Sequence, residues 1–396
     1  MAGPVPVQKH SEVEQVCDPE GFATHAQGHQ LGFYPGGPER LAALIELIEN
    51  AQASLKMVFY IFACDASGEQ VRDALTAAAR RKVQVSIIVD GFGADADEEW
   101  FADMIAAGGT FQVFVAKWSR RALIRNHQKL VIADDTRAMM GGFNVEDSYF
   151  APAGADGWND IGLTVEGPIV ARMVDWFAQL QEWTSNDDAQ LRDIRRRLRN
   201  WDGGTGTVRL LLGGPTTGLA QWGRCAVQDM ARGERLDMLM AYFAPGPQVR
   251  KAMRKIARHG KTQLVLAGKT DNGATIGAAR ALYKRLLRAG ARIYEFQPCK
   301  LHSKLIVIDD AVYIGSANFD MRSFHVNLEI MLRIEDAPLA ERMRAHIAQH
   351  IAASVEVTPA VHAARATLLT RMRWWASWFL VSVVDYNVAR RLNLGL

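Results

Sequence analysis

NHQKLVIADD, residues 126–135, and LHSKLIVIDD, residues 301–310, are one pattern written twice. Each copy runs His-x-Lys, then four apolar residues, then Asp: His127, Lys129 and Asp134 in the first, His302, Lys304 and Asp309 in the second. Each then returns through a glycine pair or Gly-Ser (Gly141-Gly142, Gly315-Ser316) to an asparagine, Asn144 or Asn318. In the first copy Leu130 and Ile132 alternate against His127 and Lys129. A strand over this stretch projects imidazole and ammonium from one face, about 6–7 Å apart. Asp134 and Asp309 have the opposite parity and begin Asp-Asp breaks, where carboxylates hydrogen-bond turn backbone, so both read as hairpin supports rather than reacting groups. Glycines that admit close backbone approach, followed by a side-chain amide, suit an anion. A lone histidine on an apolar strand is usually packing. The joint repetition of His, Lys and Asn points instead to a two-histidine phosphodiester site.

The surroundings repeat as well. LKMVFYIFACD (55–65), EQVRDALTAAARRK (69–82) and VQVSIIVDG (83–91) read as strand, helix and strand, with Val71, Ala74, Leu75 and Ala78 on one helical face. LDMLMAYFAPG (236–246), PQVRKAMRKIARHGK (247–261) and TQLVLAGKTDNG (262–273) repeat that order, with Val249, Met253 and Ile256 on the helical face. Further helices are expected near 97–107 and 276–289, each closed by a glycine, Gly108 or Gly290. Strands are expected on either side of each motif. The expected division is an N-terminal extension with a first helix (1–54), one α/β half (55–185), a basic linker (186–206), a second half (207–355) and a C-terminal aromatic and basic segment (356–396).

With its two H-x-K-x-x-x-x-D motifs, and with YFAPG (242–246), LHSKLIVID (301–309) and GSANFDMRSFHVNLEI (315–330), the chain resembles the phospholipase D superfamily, and within it most closely the bacterial cardiolipin synthases. The likeness runs from about Leu55 to Ile334. It implies two α/β/α sandwich halves related by a pseudo-twofold axis, sharing one active site, so that a monomer suffices for a complete site. It also implies a covalent phosphohistidine, with His127 attacking phosphorus and His302 as general acid and base. Residue chemistry alone does not order the two histidines. Lys129, Lys304, Asn144 and Asn318, with Gly142 and Ser316, would bind the phosphate oxygens, and neither metal nor cofactor is called for. Glu329 matches the family's acidic position after the second motif and Asp160 takes the comparable place after the first; both are expected to orient the histidines. Two departures stand out. Gly142 occupies a place where serine is commoner, and the second motif is one residue shorter between Asp309 and Gly315, which must be absorbed by a shorter hairpin if Asn318 is to keep its face.

About half of the 396 residues are apolar and the net charge is only +3, enough for a core in each half and too little for a protein dominated by nucleic-acid binding. Cys17, Cys64, Cys225 and Cys299 show no C-x-x-C spacing and lie far apart, suggesting neither a zinc site nor a redox pair. The N-terminus lacks a basic start followed by an apolar stretch, giving the expectation of a cytoplasmic protein. RDIRRRLRN (192–200) is either a solvated helix face or a patch for anionic headgroups. TRMRWWASWFLVSVVDYNVARRLNLGL (370–396) sets Trp374, Trp375, Trp378 and Phe379 beside Arg371, Arg373, Arg390 and Arg391, which suits an interfacial helix, or else a terminal helix docked on the core. The expectation is a phosphatidyltransferase peripheral on the inner face of the cell membrane, with phosphatidylglycerol as substrate and no nucleic-acid partner. The alternatives are a phospholipase D hydrolase releasing phosphatidic acid, or a phosphodiesterase or nuclease.

Overall fold

The computed structural model describes residues 16–115, 124–152, 155–270 and 273–384. The first half supplies β1 (Phe22–Ala26), β2 (His29–Tyr34), β3 (Ser54–Phe59), β4 (Gln84–Asp90), β5 (Thr110–Phe114), β6 (Leu130–Ala133), β7 (Arg137–Gly141), β8 (Trp158–Asn159) and β9 (Gly162–Glu166). The second supplies β10 (Val208–Gly213), β11 (Arg235–Met240), β12 (Phe243–Ala244), β13 (Lys261–Ala267), β14 (Arg292–Phe296), β15 (Lys300–Leu301), β16 (Lys304–Ile308), β17 (Ala311–Gly315), β18 (Phe319–Asp320), β19 (Glu329–Glu335) and β20 (Ser354–Glu356).

Two eight-stranded sheets result, ordered β1-β2-β9-β7-β6-β3-β4-β5 and β10-β19-β17-β16-β11-β13-β14-β20. Six consecutive strands correspond one to one, β9-β7-β6-β3-β4-β5 with β19-β17-β16-β11-β13-β14. Strand directions correspond too: the first three junctions are antiparallel and the last two parallel in both sheets. The parallel junctions need crossovers, which the helices Ala66–Arg80 and Pro247–His259 provide, burying Val71, Leu75 and Ala78, and Val249, Met253 and Ile256. This is the duplicated α/β architecture expected from the sequence.

The motif strands are buried on both faces, which explains why they read as unbroken apolar runs. Leu130 and Ile132 of β6 join Leu305 and Val307 of β16 in one apolar cluster that draws on both sheets, together with Trp176 and Phe177 of the helix Ile169–Ser185. Val131 and Ala133 pack into the outer core of the first half, and Ile306 and Ile308 into that of the second.

The hairpins absorb the one-residue difference between the motifs. Ala133 pairs with Arg137 across Asp134, Asp135 and Thr136, whereas Ile308 pairs with Ala311 across Asp309 and Asp310 alone. The register is thereby restored, Leu130 facing Met140 and Leu305 facing Ile314. Asp134 (φ +51°) and Asp309 (φ +45°) take the left-handed conformation that Asp tolerates at such turns. The Asp134 carboxylate accepts from the backbone N–H of Gln52, Ala53 and Ser54, and that of Asp309 from Glu234 and Arg235.

Several local expectations need correction. The motif strands begin only at Leu130 and Lys304, so the two-residue strand period does not reach back to His127 or His302. The segment before residue 55 is not a mere extension, because β2 pairs with β9 and enlarges the first sheet. The basic stretch after residue 186 holds a helix, Leu191–Asn200, that anchors Ile194 and Leu198 in the shared core. Cys17 and Cys299 form a disulfide across 282 residues of sequence. The spacing of the cysteines, which suggested no redox pair, gave no sign of this bond, because separation along the chain says nothing about which elements meet in space. Cys64 and Cys225 are free thiols.

Candidate active site

Two short backbone links stitch the halves together at the motifs, and they are symmetric. Asn126 bridges to Leu328, where the His127 N–H donates to the Leu328 carbonyl at 2.9 Å. β15 pairs with β8 in parallel, and the His302 N–H donates to the Asn159 carbonyl at 2.8 Å. The next residues along those partner segments are Glu329 and Asp160. Each histidine is therefore delivered to the acid of the opposite half: His127 Nδ1 lies 3.1 Å from Glu329 Oε2, and His302 Nδ1 lies 2.6 Å from Asp160 Oδ2. A carboxylate at Nδ1 holds the N–H there and leaves Nε2 as the reactive nitrogen.

The two acids are themselves fixed. Glu329 is fully buried and accepts from the hydroxyls of Ser316 and Ser323. Asp160 accepts from the Ile161 N–H at 2.8 Å. Burial opposes ionisation of both, but His127 and Lys129 keep Glu329 below the usual carboxylate range, and His302, Lys304 and Arg40 do the same for Asp160. Gly142 is explained by this arrangement. A Cβ there would sit 2.8 Å from both oxygens of Asp160, so the serine of the second half has no counterpart in the first. Ser316 with Glu329, and Gly142 with Asp160, are two solutions to the same packing problem.

The lysines curl back on their own motifs. Lys129 Nζ donates to the His127 carbonyl at 2.8 Å and Lys304 Nζ to the His302 carbonyl at 2.6 Å. Burial pulls Lys129 down to about 7 and Lys304 down to about 8. His127 is lowered by burial against the opposing pull of Glu329, and His302 falls to about 3 through burial and the Lys304 charge. Each histidine also feels the lysine of the other half, so the four groups form one electrostatic unit.

A cavity of about 570 Å³ opens onto this unit, walled by His127, Asn318, Tyr60, Tyr242, Arg125 and Arg322 among others. His302 lies deeper, its Nε2 3.4 Å from the Tyr149 hydroxyl, with the Trp158 ring 5.3 Å away. Asn318 faces the cavity, and its Oδ1 has no hydrogen-bond partner among the described residues. Asn144 is buried and accepts from the Ile61 N–H at 3.3 Å.

Sequence reasoning passed over the middle residues of the motifs. Gln128 donates to the Glu329 carbonyl and accepts from the Trp176 indole, and Ser303 donates to the Asn159 carbonyl, so each fastens its motif to the other half. The signal was a polar residue between His and Lys at the mouth of an apolar strand. Arg40 was invisible: fully buried, it donates to the carbonyls of Asp160 and Tyr149 from a helix, Gly37–Glu49, and lies 120 and 109 residues upstream of them.

Residues 44–181 and 227–351 match the family described as cardiolipin synthase, PLD-like domain. The chain is 28% identical over 352 residues to a cardiolipin synthase of Clostridium perfringens (strain 13 / Type A), covering 85% of this chain and 73% of the relative. It is 26% identical over 358 residues to cardiolipin synthase B of Escherichia coli (strain K12), covering 88% and 85%. The fold is similar to the crystal structure of a phosphatidylserine synthase from Haemophilus influenzae Rd KW20, with a TM-score of 0.72 at 13% identity, over 96% of this chain and 99% of that one. With its duplicated sheets and paired motifs, this chain belongs to the phospholipase D superfamily, in the family of PLD-like cardiolipin synthase domains.

Proposed function

We propose that the protein is a phosphatidyltransferase that makes cardiolipin by moving a phosphatidyl group onto the hydroxyl of phosphatidylglycerol through a covalent phosphohistidine. The observation that carries this reading is the pair of crossed carboxylate–imidazole contacts, which bring two histidines, each with Nδ1 beside a carboxylate, into one site. His127, at the cavity wall with Nδ1 held by Glu329, attacks phosphorus through Nε2, and the P–O bond to the leaving alcohol breaks. His302 protonates that alcohol and later takes the proton of the acceptor hydroxyl. In the free protein His302 sits at about 3, held there by burial and by Lys304. A bound phosphodiester brings negative charge beside both lysines, offsetting the positive charges that hold His302 down and raising its proton affinity as the substrate arrives. Lys129, Lys304 and the Asn318 amide stabilise the non-bridging oxygens, and Asn144 supports the loop beside them.

Among the described residues no helix is long and apolar enough to cross a membrane. The C-terminal helix Leu368–Phe379 combines both expectations for this segment: one side docks on the helix Gly273–Leu287, burying Trp374, while Trp375 and Phe379 stay exposed. Arg390 and Arg391 lie outside the described residues. We infer peripheral contact with the bilayer through the exposed side. The Cys17–Cys299 disulfide is at odds with the cytoplasmic side read from the N-terminus, because glutathione-buffered compartments keep such pairs reduced.

Purified protein incubated with phosphatidylglycerol vesicles and a chelator is expected to yield cardiolipin and glycerol, read by mass spectrometry. Phosphatidic acid as sole product would establish the hydrolase instead, and a strict need for added divalent ion would remove the lysines from their proposed role. In the free enzyme His127 must be neutral and both lysines charged. The affinity for a non-reacting phosphodiester analogue, read by calorimetry, therefore falls as pH climbs past about 7 and 8, where Lys129 and Lys304 lose their protons. A profile flat to pH ~10, near the ordinary lysine value, contradicts this assignment. Gly142→Ser is expected to drive Asp160 off His302 and lower kcat by roughly 100-fold without loss of fold, checked by circular dichroism. Wild-type kcat in that variant would show that Asp160 does not orient His302.

A further inference from the structure

Far less of the C-terminal region is explained by the catalytic chemistry than its composition demands. The helices Pro359–Arg365 and Leu368–Phe379 lie against the helix Gly273–Leu287, and a cavity of about 620 Å³ opens among them. Its wall is basic: Lys284, Arg285 and Arg288 come from one side, Arg371 from the other, with Trp374 and Trp375 between. Arg280 also faces it, but that guanidinium is bidentate to Glu295 at 2.8 Å, and the same carboxylate takes Arg365 at 3.0 Å. Glu295 is thus already shared between two arginines. Among the described residues no carboxylate lies within ion-pair distance of Lys284, Arg285, Arg288 or Arg371. Four like charges around one cleft repel each other unless an anion enters.

A second, independent feature adjoins the cleft. Leu368, Met372, Trp375 and Phe379 recur at i, i+4, i+7 and i+11, forming one stripe along the helix, and are 76%, 62%, 42% and 52% exposed. Trp374 and Trp378 turn the other way, toward the core, so the stripe is the face left over after docking. Trp375 belongs to both the stripe and the cleft. Directly after the helix, Leu380 and Val381 line the cavity that holds His127. Stripe, basic cleft and catalytic mouth are therefore consecutive along one short segment.

We propose that this cleft is a non-catalytic site for the phosphate of an anionic phospholipid in the bilayer on which the enzyme works, with the stripe lying among the acyl chains. The proposal rests on the peripheral-membrane reading above and adds to it a headgroup site separate from the two histidines. An amphipathic helix with basic residues beside its apolar face has the physical form of an interfacial anchor, and each cation near an anionic leaflet adds to the binding. A second copy of this chain is a poor occupant. A twofold contact through the stripe would bring two uncompensated basic clefts toward each other.

The test compares the full chain with the triple variant Lys284→Gln, Arg288→Gln, Arg371→Gln on phosphatidylcholine vesicles with and without phosphatidylglycerol, by co-sedimentation. Loss of roughly 100-fold in affinity for the anionic vesicles is expected, with little change on neutral ones and with hydrolysis of a soluble nitrophenyl diester intact. The companion variant Leu368→Ser, Met372→Ser, Phe379→Ser is expected to lose binding to both vesicle types. Undiminished binding of the triple variant to anionic vesicles, or equal loss on neutral ones, overturns the headgroup site alone. Binding of inorganic phosphate in the cleft that leaves vesicle affinity unchanged overturns it in favour of a free-phosphate site, and a stripe-dependent dimer in gel filtration overturns it in favour of a second copy. Wild-type protein that binds neither vesicle type overturns the membrane reading itself.

Discussion

The crossed carboxylate–imidazole pairs are the constraint on which the rest of the structure depends. Each carboxylate meets the histidine of the other half, Glu329 at His127 and Asp160 at His302, so the arrangement exists only when the two sheets meet. The shared apolar cluster, the symmetric backbone links at Leu328 and Asn159, and the fastening of Gln128 and Ser303 all hold that meeting in register. A shift of one residue at either link would exchange an acid for a neighbour of the opposite parity.

The electrostatics follow from the same geometry. Two lysines and two carboxylates are nearly or wholly removed from water, with no net charge among the four when all are ionised. Burying such groups costs more than an apolar replacement would, which marks the arrangement as one kept for chemistry rather than stability. Burial also brings the lysines to about 7 and 8, close to the point of discharge, so that in the proposed reaction a bound phosphodiester restores their charge.

Much of this was legible in the sequence because duplication multiplies weak signals. One H-x-K on an apolar strand says little, whereas two of them in matching strand–helix–strand surroundings point to a duplicated α/β unit with two histidines in one candidate site. The deletion before Gly315 was readable as a shorter hairpin because strand parity leaves no other way to keep Asn318 in place. The crossing of acids between halves was not readable, since Glu329 and Asp160 lie 202 and 142 residues from the histidines they hold. Arg40 was hidden for a related reason: its partners are backbone carbonyls, which have no sequence identity. The Cys17–Cys299 pair was missed because spacing rules describe local motifs, not elements that meet only on folding. The three tryptophans of the C-terminal helix looked alike in sequence, and only docking separates Trp375, facing out, from Trp374 and Trp378.

The division of labour between the histidines is the central claim, and intact-mass spectrometry of two variants tests it most directly. A nitrophenyl phosphodiester departs without needing a proton, so His302→Asn should still accumulate a covalent phosphoryl adduct, mapped by peptide sequencing to His127, that turns over slowly for want of a general base. His127→Asn should show no adduct. An adduct on His302 in the His127→Asn protein, with none in His302→Asn, would mean that the roles are exchanged.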